Sequence, residues 1–309
     1  MPISGPILTP ARFGLRDFAV VIVMNVLWGL NIIAVKVAVG EIAPMTAAFL
    51  RQAIVLAVCA TWLRLVPGRT GTLMLLGALS GGLFYVATNL SLAVADNVGA
   101  LAIAGQLGVP FSLLLAILVF RERIQWPRML GIGLSILGVV LLVFDPAAAK
   151  EGPGLLLTTG ASMVWAVCSL LQRRLGGVPV LTIYAWVGLM GSIVMGAVAV
   201  VFEPEAVRAV PDLPLHTLGW VAFSAIGSTV LGQGAMSWLL QRHSVSVVTP
   251  MTLAAPIVAV FAAAYYFGNP LTLLMLGGGG VAMLGVAIVT IRTARAERRA
   301  AVPVERLEG

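Results

Sequence analysis

The chain has 309 residues, of which 60% are hydrophobic and 10% charged, with a mean hydropathy of +1.04. Soluble domains carry about 25% charged residues, so this composition excludes a soluble enzyme, a nucleic-acid binder and a disordered chain. The net charge of +7 reads instead as a signal of orientation across a membrane.

Taken in chain order, ten apolar runs fall near the roughly 20 residues that a bilayer crossing requires. They cover 18–39, 45–65, 72–94, 99–119, 128–144, 155–172, 180–202, 217–241, 246–267 and 271–291. The breaks carry turn or charge signals, such as Pro67-Gly68-Arg69, Arg121-Glu122-Arg123 and Gly268-Asn269-Pro270. The first run is read as a retained helix, because its uncharged stretch exceeds a signal-peptide core and holds Asn25, Trp28 and Asn31. The predicted fold class is therefore an all-α polytopic membrane protein with ten transmembrane helices. Cys59 and Cys168 lie in apolar runs and read as packing residues, with no disulfide and no metal site.

Lys and Arg set orientation. With the N-terminus inside, 15 of the 19 basic residues fall on the inner side, while Lys150 and Arg208 lie outside and Lys36 and Arg51 within spans. Most outer loops are acidic instead, with Glu41, Asp96, Asp145, Glu151, Glu203, Glu205 and Asp212. Both termini are then cytoplasmic, and the expected location is a bacterial inner membrane.

The two halves align with each other. Trp28 and Lys36 match Trp165 and Arg173, each pair eight residues apart, and Glu122, Gly131 and Gly138 match Asn269, Gly278 and Gly285. Pro110 answers Pro256 within a one-residue slip. Five spans per repeat is an odd number, so the second copy enters the membrane from the opposite face, a 5+5 inverted-topology repeat of the kind transporters use. The expected organisation is a cytoplasmic tail at 1–17, a first repeat at 18–144, an outer linker at 145–154, a second repeat at 155–291 and a cytoplasmic tail at 292–309.

Trp28-Gly29, Lys36, Pro44 and Arg51, then Pro110, Phe120-Arg121-Glu122 and the Gly131/Gly138 pair, together resemble an EamA domain of the drug/metabolite transporter superfamily. The second copy resembles it too, with Asn269 in place of the usual acidic residue and Arg173 in place of the lysine. The likeness covers about 18–291 and is nearest in kind to ten-span amino acid exporters, the aromatic amino acid exporters included. It implies a central cavity lined by spans 1, 3, 4, 6, 8 and 9.

Polar residues inside lipid spans are costly and turn toward protein or water. Asn25, Trp28 and Asn31 form a stripe on span one, and Ser162, Trp165, Ser169 and Gln172 one on span six. Tyr85, Thr88 and Asn89 mark span three, Gln106 span four, and Thr229, Gln233 and Ser237 span eight. The candidate cavity set is Trp28, Asn31, Tyr85, Thr88, Asn89, Gln106, Trp165, Ser169 and Gln233; interhelical hydrogen bonding and core packing are the competing roles. Lys36 is a candidate outer-gate or carboxylate-binding residue, against snorkelling or pairing with Glu41 or Asp96. Arg51 reads as structural, pairing with an outer acid or with carbonyls at a helix end. Pro110 and Pro256 are candidate hinges.

No catalytic constellation, phosphate loop or metal cluster appears, so no enzymatic role and no cofactor is expected. All 12 acids lie in loops, tails or span ends, which removes the midplane carboxylate that ion-driven pumps use. The reading is an alternating-access carrier exporting small amphipathic metabolites, amino acids including aromatic ones, by facilitated diffusion or exchange. Proton coupling through Lys36 or an external acid is the alternative mechanism. Export of drugs or other metabolites such as nucleosides is the alternative cargo, and a non-transporting scaffold or receptor the alternative of another class. The partners implied are a small-molecule substrate and the bilayer, with no nucleic acid; a monomer is the expected unit.

Overall fold

A computed structural model describes residues 14–120, 126–145, 149–240, 242–243, 248 and 251–300. They form ten long helices with no strand among them: α1 Leu15–Glu41, α2 Pro44–Trp62, α3 Thr70–Val94, α4 98–120, α5 Trp126–Val143, α6 Gly152–Arg173, α7 Val180–Phe202, α8 215–240, α9 Ala254–Phe267 and α10 Leu273–Ala300. Eight are long and apolar enough to cross a membrane, and α5 and α9 are shorter apolar helices. The chain is a multi-pass membrane protein built as a 5+5 inverted repeat. Phe18, Phe202, Leu215, Tyr265 and Leu273 are exposed, as expected where lipid is the solvent.

Two helices differ from the sequence expectation. The tenth continues beyond 291 to Ala300, because the segment Thr293 to Ala300 is rich in Ala, Arg and Glu, which are strong helix formers. The ninth begins late: a turn at 252–253 precedes Ala254, and Pro250 lies outside the described residues. Pro256 then occupies the third position of α9, where the first turn has no intrahelical partner for its N–H and a missing donor costs little. Pro110 is likewise the third residue of the helical segment Gly108–Phe120, just past a 3-10 turn at Gly105–Leu107. Both prolines therefore follow a break instead of kinking a continuous helix.

The third helix of each repeat carries a second irregularity at an equivalent place. α3 widens to a π-helix at Gly77–Leu83 and α8 does so at Phe223–Gly232. The α3 segment is glycine-rich because α7 lies directly against it: a Cβ on Gly81 would stand 2.5 Å from the Val187 carbonyl oxygen and 2.9 Å from Gly191 Cα.

α5 and α10 pack as a pair at the side of the bundle. Here the glycines matched between the repeats face one another. A Cβ on Gly138 would lie 2.5 Å from the Gly278 carbonyl oxygen, and one on Gly285 would lie 2.5 Å from that of Gly131. In lipid, where helices associate by close packing, such small residues set the approach. Gly138→Ala is expected to lower stability by about 1–3 kcal/mol through overpacking, whereas Gly133→Ala, with nothing within 4 Å of its Cβ position, is neutral or stabilising. Thermal unfolding of the two purified variants in detergent measures the difference.

Candidate functional site

A cavity of about 420 Å³ lies at the centre of the bundle, lined from α1–α4 and α6–α9. Helices α5 and α10 stay outside its lining. Of the residues singled out from sequence, Trp28, Asn31, Tyr85, Gln106, Trp165, Gln233 and Pro256 line the cavity, while Lys36, Thr88, Asn89, Pro110 and Ser169 do not. The repeat-matched Trp28 and Trp165 thus stand on one cavity wall each.

The π segment of α8 organises the α1 and α2 side of this cavity. Trp28 Nε1 donates to the Ser228 carbonyl at 3.1 Å, and Ser224 Oγ donates to Asn31 Oδ1 at 2.7 Å. Arg51 Nη2 donates to Thr229 Oγ1 at 2.7 Å. On the opposite side, Phe84 packs 5.5 Å from Trp165 and 5.2 Å from Tyr85 between ring centroids. Ser162 Oγ donates to the Gly105 carbonyl at 3.3 Å, at the 3-10 break of α4. Gln106, Gln172 and Gln233 add amides to the lining, so the wall offers aromatic faces and neutral donors and acceptors.

Three of the excluded residues have identifiable work elsewhere. Asn89 is buried and its Nδ2 donates to the Pro44 carbonyl at 2.8 Å, at the start of α2. Ser169 Oγ bonds back to the Trp165 carbonyl of its own helix at 3.0 Å, a local alternative open to Ser in any helix. Lys36 Nζ reaches the carbonyls of Leu92 and Ala95 at 2.8 and 2.5 Å, where a cation answers the negative end of α3. Among the described residues it forms no ion pair with Glu41 or Asp96.

Sequence reasoning left out α2 and α7. Arg51, Gln52, Ile183, Tyr184 and Val187 all line the cavity. Arg51 is buried at 6% exposure, with its guanidinium carbon 4.3 Å from the Tyr85 ring centroid, and it pairs with no outer acid or helix-end carbonyl among the described residues. Gln52 is buried too, and its Oε1 has no partner. The signal that was available is the charge itself, since an ionisable residue inside a span is a site candidate.

The cavity extends toward one end of the bundle. Gln172 at the close of α6, Ile183 near the start of α7 and Thr252 before α9 belong to its lining, and all three lie at the end where α1 begins. The other end is shut. Above Asn31 and Ala259 lies the largest buried apolar cluster, with Ile33, Ala38, Leu92, Leu101, Val260 and Met275 among its members. Beyond it, Glu203 accepts from the Met45 and Thr46 amides at 3.0 and 2.7 Å, and Glu151 from the Asn97 amide at 2.8 Å. Asn269 joins Val98 and Asp96, and Glu41 binds Thr217 and His216. Glu122 lies outside the described residues. No cluster of three metal-binding side chains occurs among the described residues.

This arrangement, a two-repeat helical bundle around a polar central cavity, has known relatives. The EamA-like transporter family matches residues 17–144 and again 152–291. The chain belongs to that family. This EamA protein is 25% identical over 88% of its length to 94% of a "Probable amino-acid metabolite efflux pump" of Salmonella typhimurium. It is 24% identical, over the same shares, to the protein of that name in Escherichia coli strain K12. A solved crystal structure shares the fold at a TM-score of 0.61 and 20% identity, covering 91% of this chain and 99% of its own.

Because Lys36 is spent on α3, Lys36→Met is expected to cost stability, about 1.5–3 kcal/mol for bonds from a charged donor. The half-saturation concentration of any transported solute should stay unchanged. Paired unfolding and transport measurements on this variant check that division.

Proposed function

We propose that this EamA transporter is an inner-membrane alternating-access carrier that exports small amphipathic metabolites, amino acids and aromatic ones among them, by facilitated diffusion or exchange. The observation that carries this reading is the cavity wall: Trp28, Tyr85 and Trp165 offer aromatic surface, and Asn31, Gln106 and Gln233 offer hydrogen bonds in a mostly apolar concavity of the size small ligands use. The names of the Salmonella and Escherichia relatives favour the same solute class.

The distribution of basic residues supports an orientation with both termini in the cytoplasm; in that orientation the cavity opens inward and the closed end is the outer one. In this arrangement Trp28 and Trp165 act as opposed walls, and the breaks before Pro110 and Pro256 act as hinges at which the two repeats exchange shapes. No carboxylate lines the cavity among the described residues, so the solute moves down its own gradient.

Purified protein in liposomes, loaded with unlabelled amino acids, should accumulate the labelled ones by counterflow and leave labelled sugars outside. Trp165→Ala and Gln233→Ala should each lower that rate about tenfold or more with the fold intact, since each removes a buried contact worth about 1–3 kcal/mol. Normal transport by both variants would reject the site. An imposed pH gradient should leave the rate unchanged in the absence of an amino acid gradient; robust acceleration would instead show proton coupling.

A further inference from the structure

A guanidinium withdrawn from water inside a membrane protein needs an opposite charge or a full set of acceptors. Arg51 has neither. It sits in the eighth position of α2, 6% exposed, on the wall of the central cavity. Of the five N–H groups a guanidinium carries, one donates to Thr229 Oγ1, and Nε is buried without an acceptor. Among the described residues no carboxylate forms an ion pair with it.

The acids nearest in the sequence pattern are already engaged. Glu203 caps α2, Glu151 holds the Asp96 and Asn97 amides, and Glu41 binds Thr217 and His216. Lys36, the other cation within a span, has its charge answered by two carbonyls. The guanidinium is also held in place: the Tyr85 ring lies across one face at 4.3 Å, and Thr229, in the π segment of α8, fixes one terminal nitrogen. A planar donor fork, fixed at its face and one corner, with its remaining donors unused, is the complement of a carboxylate.

We propose that Arg51 is the carboxylate anchor of the cavity, so that this carrier selects solutes bearing a single carboxylate. The proposal rests on the reading of the cavity as a transport site. It gives a neutral-walled chamber one unpaired positive charge, which the carboxylate of the cargo neutralises as it is carried across. A solute without that group leaves the cation uncompensated in the occluded state and is moved poorly.

The test uses the full chain in liposomes, wild type and the variants Arg51→Gln and Arg51→Lys, with labelled L-phenylalanine as probe. L-phenylalaninamide and N-acetyl-L-phenylalanine serve as competitors. In wild type, the N-acetyl compound, which keeps the carboxylate, should compete, and the amide should compete at least tenfold more weakly than unlabelled L-phenylalanine. Arg51→Gln should raise half-saturation for L-phenylalanine about 10- to 100-fold, the range for a lost bond to a charged group, and remove the acid-over-amide preference. Arg51→Lys, which keeps the charge and loses the fork, should fall between. Unfolding of Arg51→Gln in detergent should occur no earlier than in wild type, because an unpaired buried charge has gone.

A folded Arg51→Gln protein with wild-type half-saturation overturns the anchor and leaves the transport reading standing. So does a wild type that takes acid and amide equally, which decides the matter even where Arg51→Gln does not fold. A wild type that moves none of these solutes, yet moves uncharged ones such as nucleosides, overturns both the anchor and the amino acid reading. Movement of nothing at all would reject the cavity as a transport site.

Discussion

Within a bilayer no water is present to satisfy a broken backbone, so a helix departs from α geometry only where protein or a water-filled cavity receives the freed groups. That constraint organises this molecule. The π segments at Gly77–Leu83 and Phe223–Gly232, the 3-10 turn at Gly105–Leu107 and the turn at 252–253 all contribute lining residues to the one central cavity. They fall on the third and fourth helices of each repeat. Side chains meet the altered backbone: Trp28 donates to the Ser228 carbonyl, Ser162 to that of Gly105, and Thr229 Oγ1 to that of Ser224. Irregular backbone and polar cavity are thus one feature, and the long straight pairs around them supply rigid walls.

Charge obeys the same rule. Glu41, Asp145, Glu151 and Glu203 at the closed end are each matched to amides or hydroxyls, most often at the start of a helix, where the dipole favours a negative charge. Lys36 serves the opposite pole, at the end of α3. On the wall of the cavity, Arg51 departs from this matching, with one hydroxyl and an aromatic face beside it and no acid. Under the proposed function, its missing partner arrives with the solute, which turns an unfavourable burial into selectivity.

Much of this was legible in the sequence because it rests on periodicity and spacing. The ten helices, the five-plus-five repeat and the family follow from apolar runs, from Trp28 against Trp165 and from Gly131/Gly138 against Gly278/Gly285. The structure adds that those glycines are matched because they touch across the α5–α10 seam. The side-chain roles were less legible. A polar stripe locates a helix face but leaves open whether a given group spends its hydrogen bond on its own helix, as Ser169 does, or on a neighbour's end, as Asn89 and Lys36 do. The π segments arise from close packing of α7 on α3 and of α1 on α8, which one chain's local pattern does not encode. Arg51 was visible as a charge in a span; its place at the cavity depends on the rotation of α2 about its axis, and that is fixed only by contact with α7 and α8.

The repeat also relates the contacts that hold the two ends. Glu41 at the end of α1 binds Thr217 at the start of α8, and its symmetry counterpart is Arg69 at the start of α3, which donates to the Gly176 carbonyl just after α6. Glu151 before α6 holds the turn after α3, and its counterpart is Asp17 in the first turn of α1, 3.3 Å from His243 after α8. Each of these four contacts joins a helix of the first repeat, or a turn beside one, to a helix of the second or a turn beside one. Glu151 is a buried carboxylate accepting from two amides, and such charge-assisted bonds are about twice as strong as neutral ones. The Arg69 contact is exposed, where screening by water weakens it. The contacts are therefore unequal in burial at both ends: Glu151 is buried where the Glu41–His216 pair is exposed, and the Asp17–His243 pair is largely buried where the Arg69 contact is exposed.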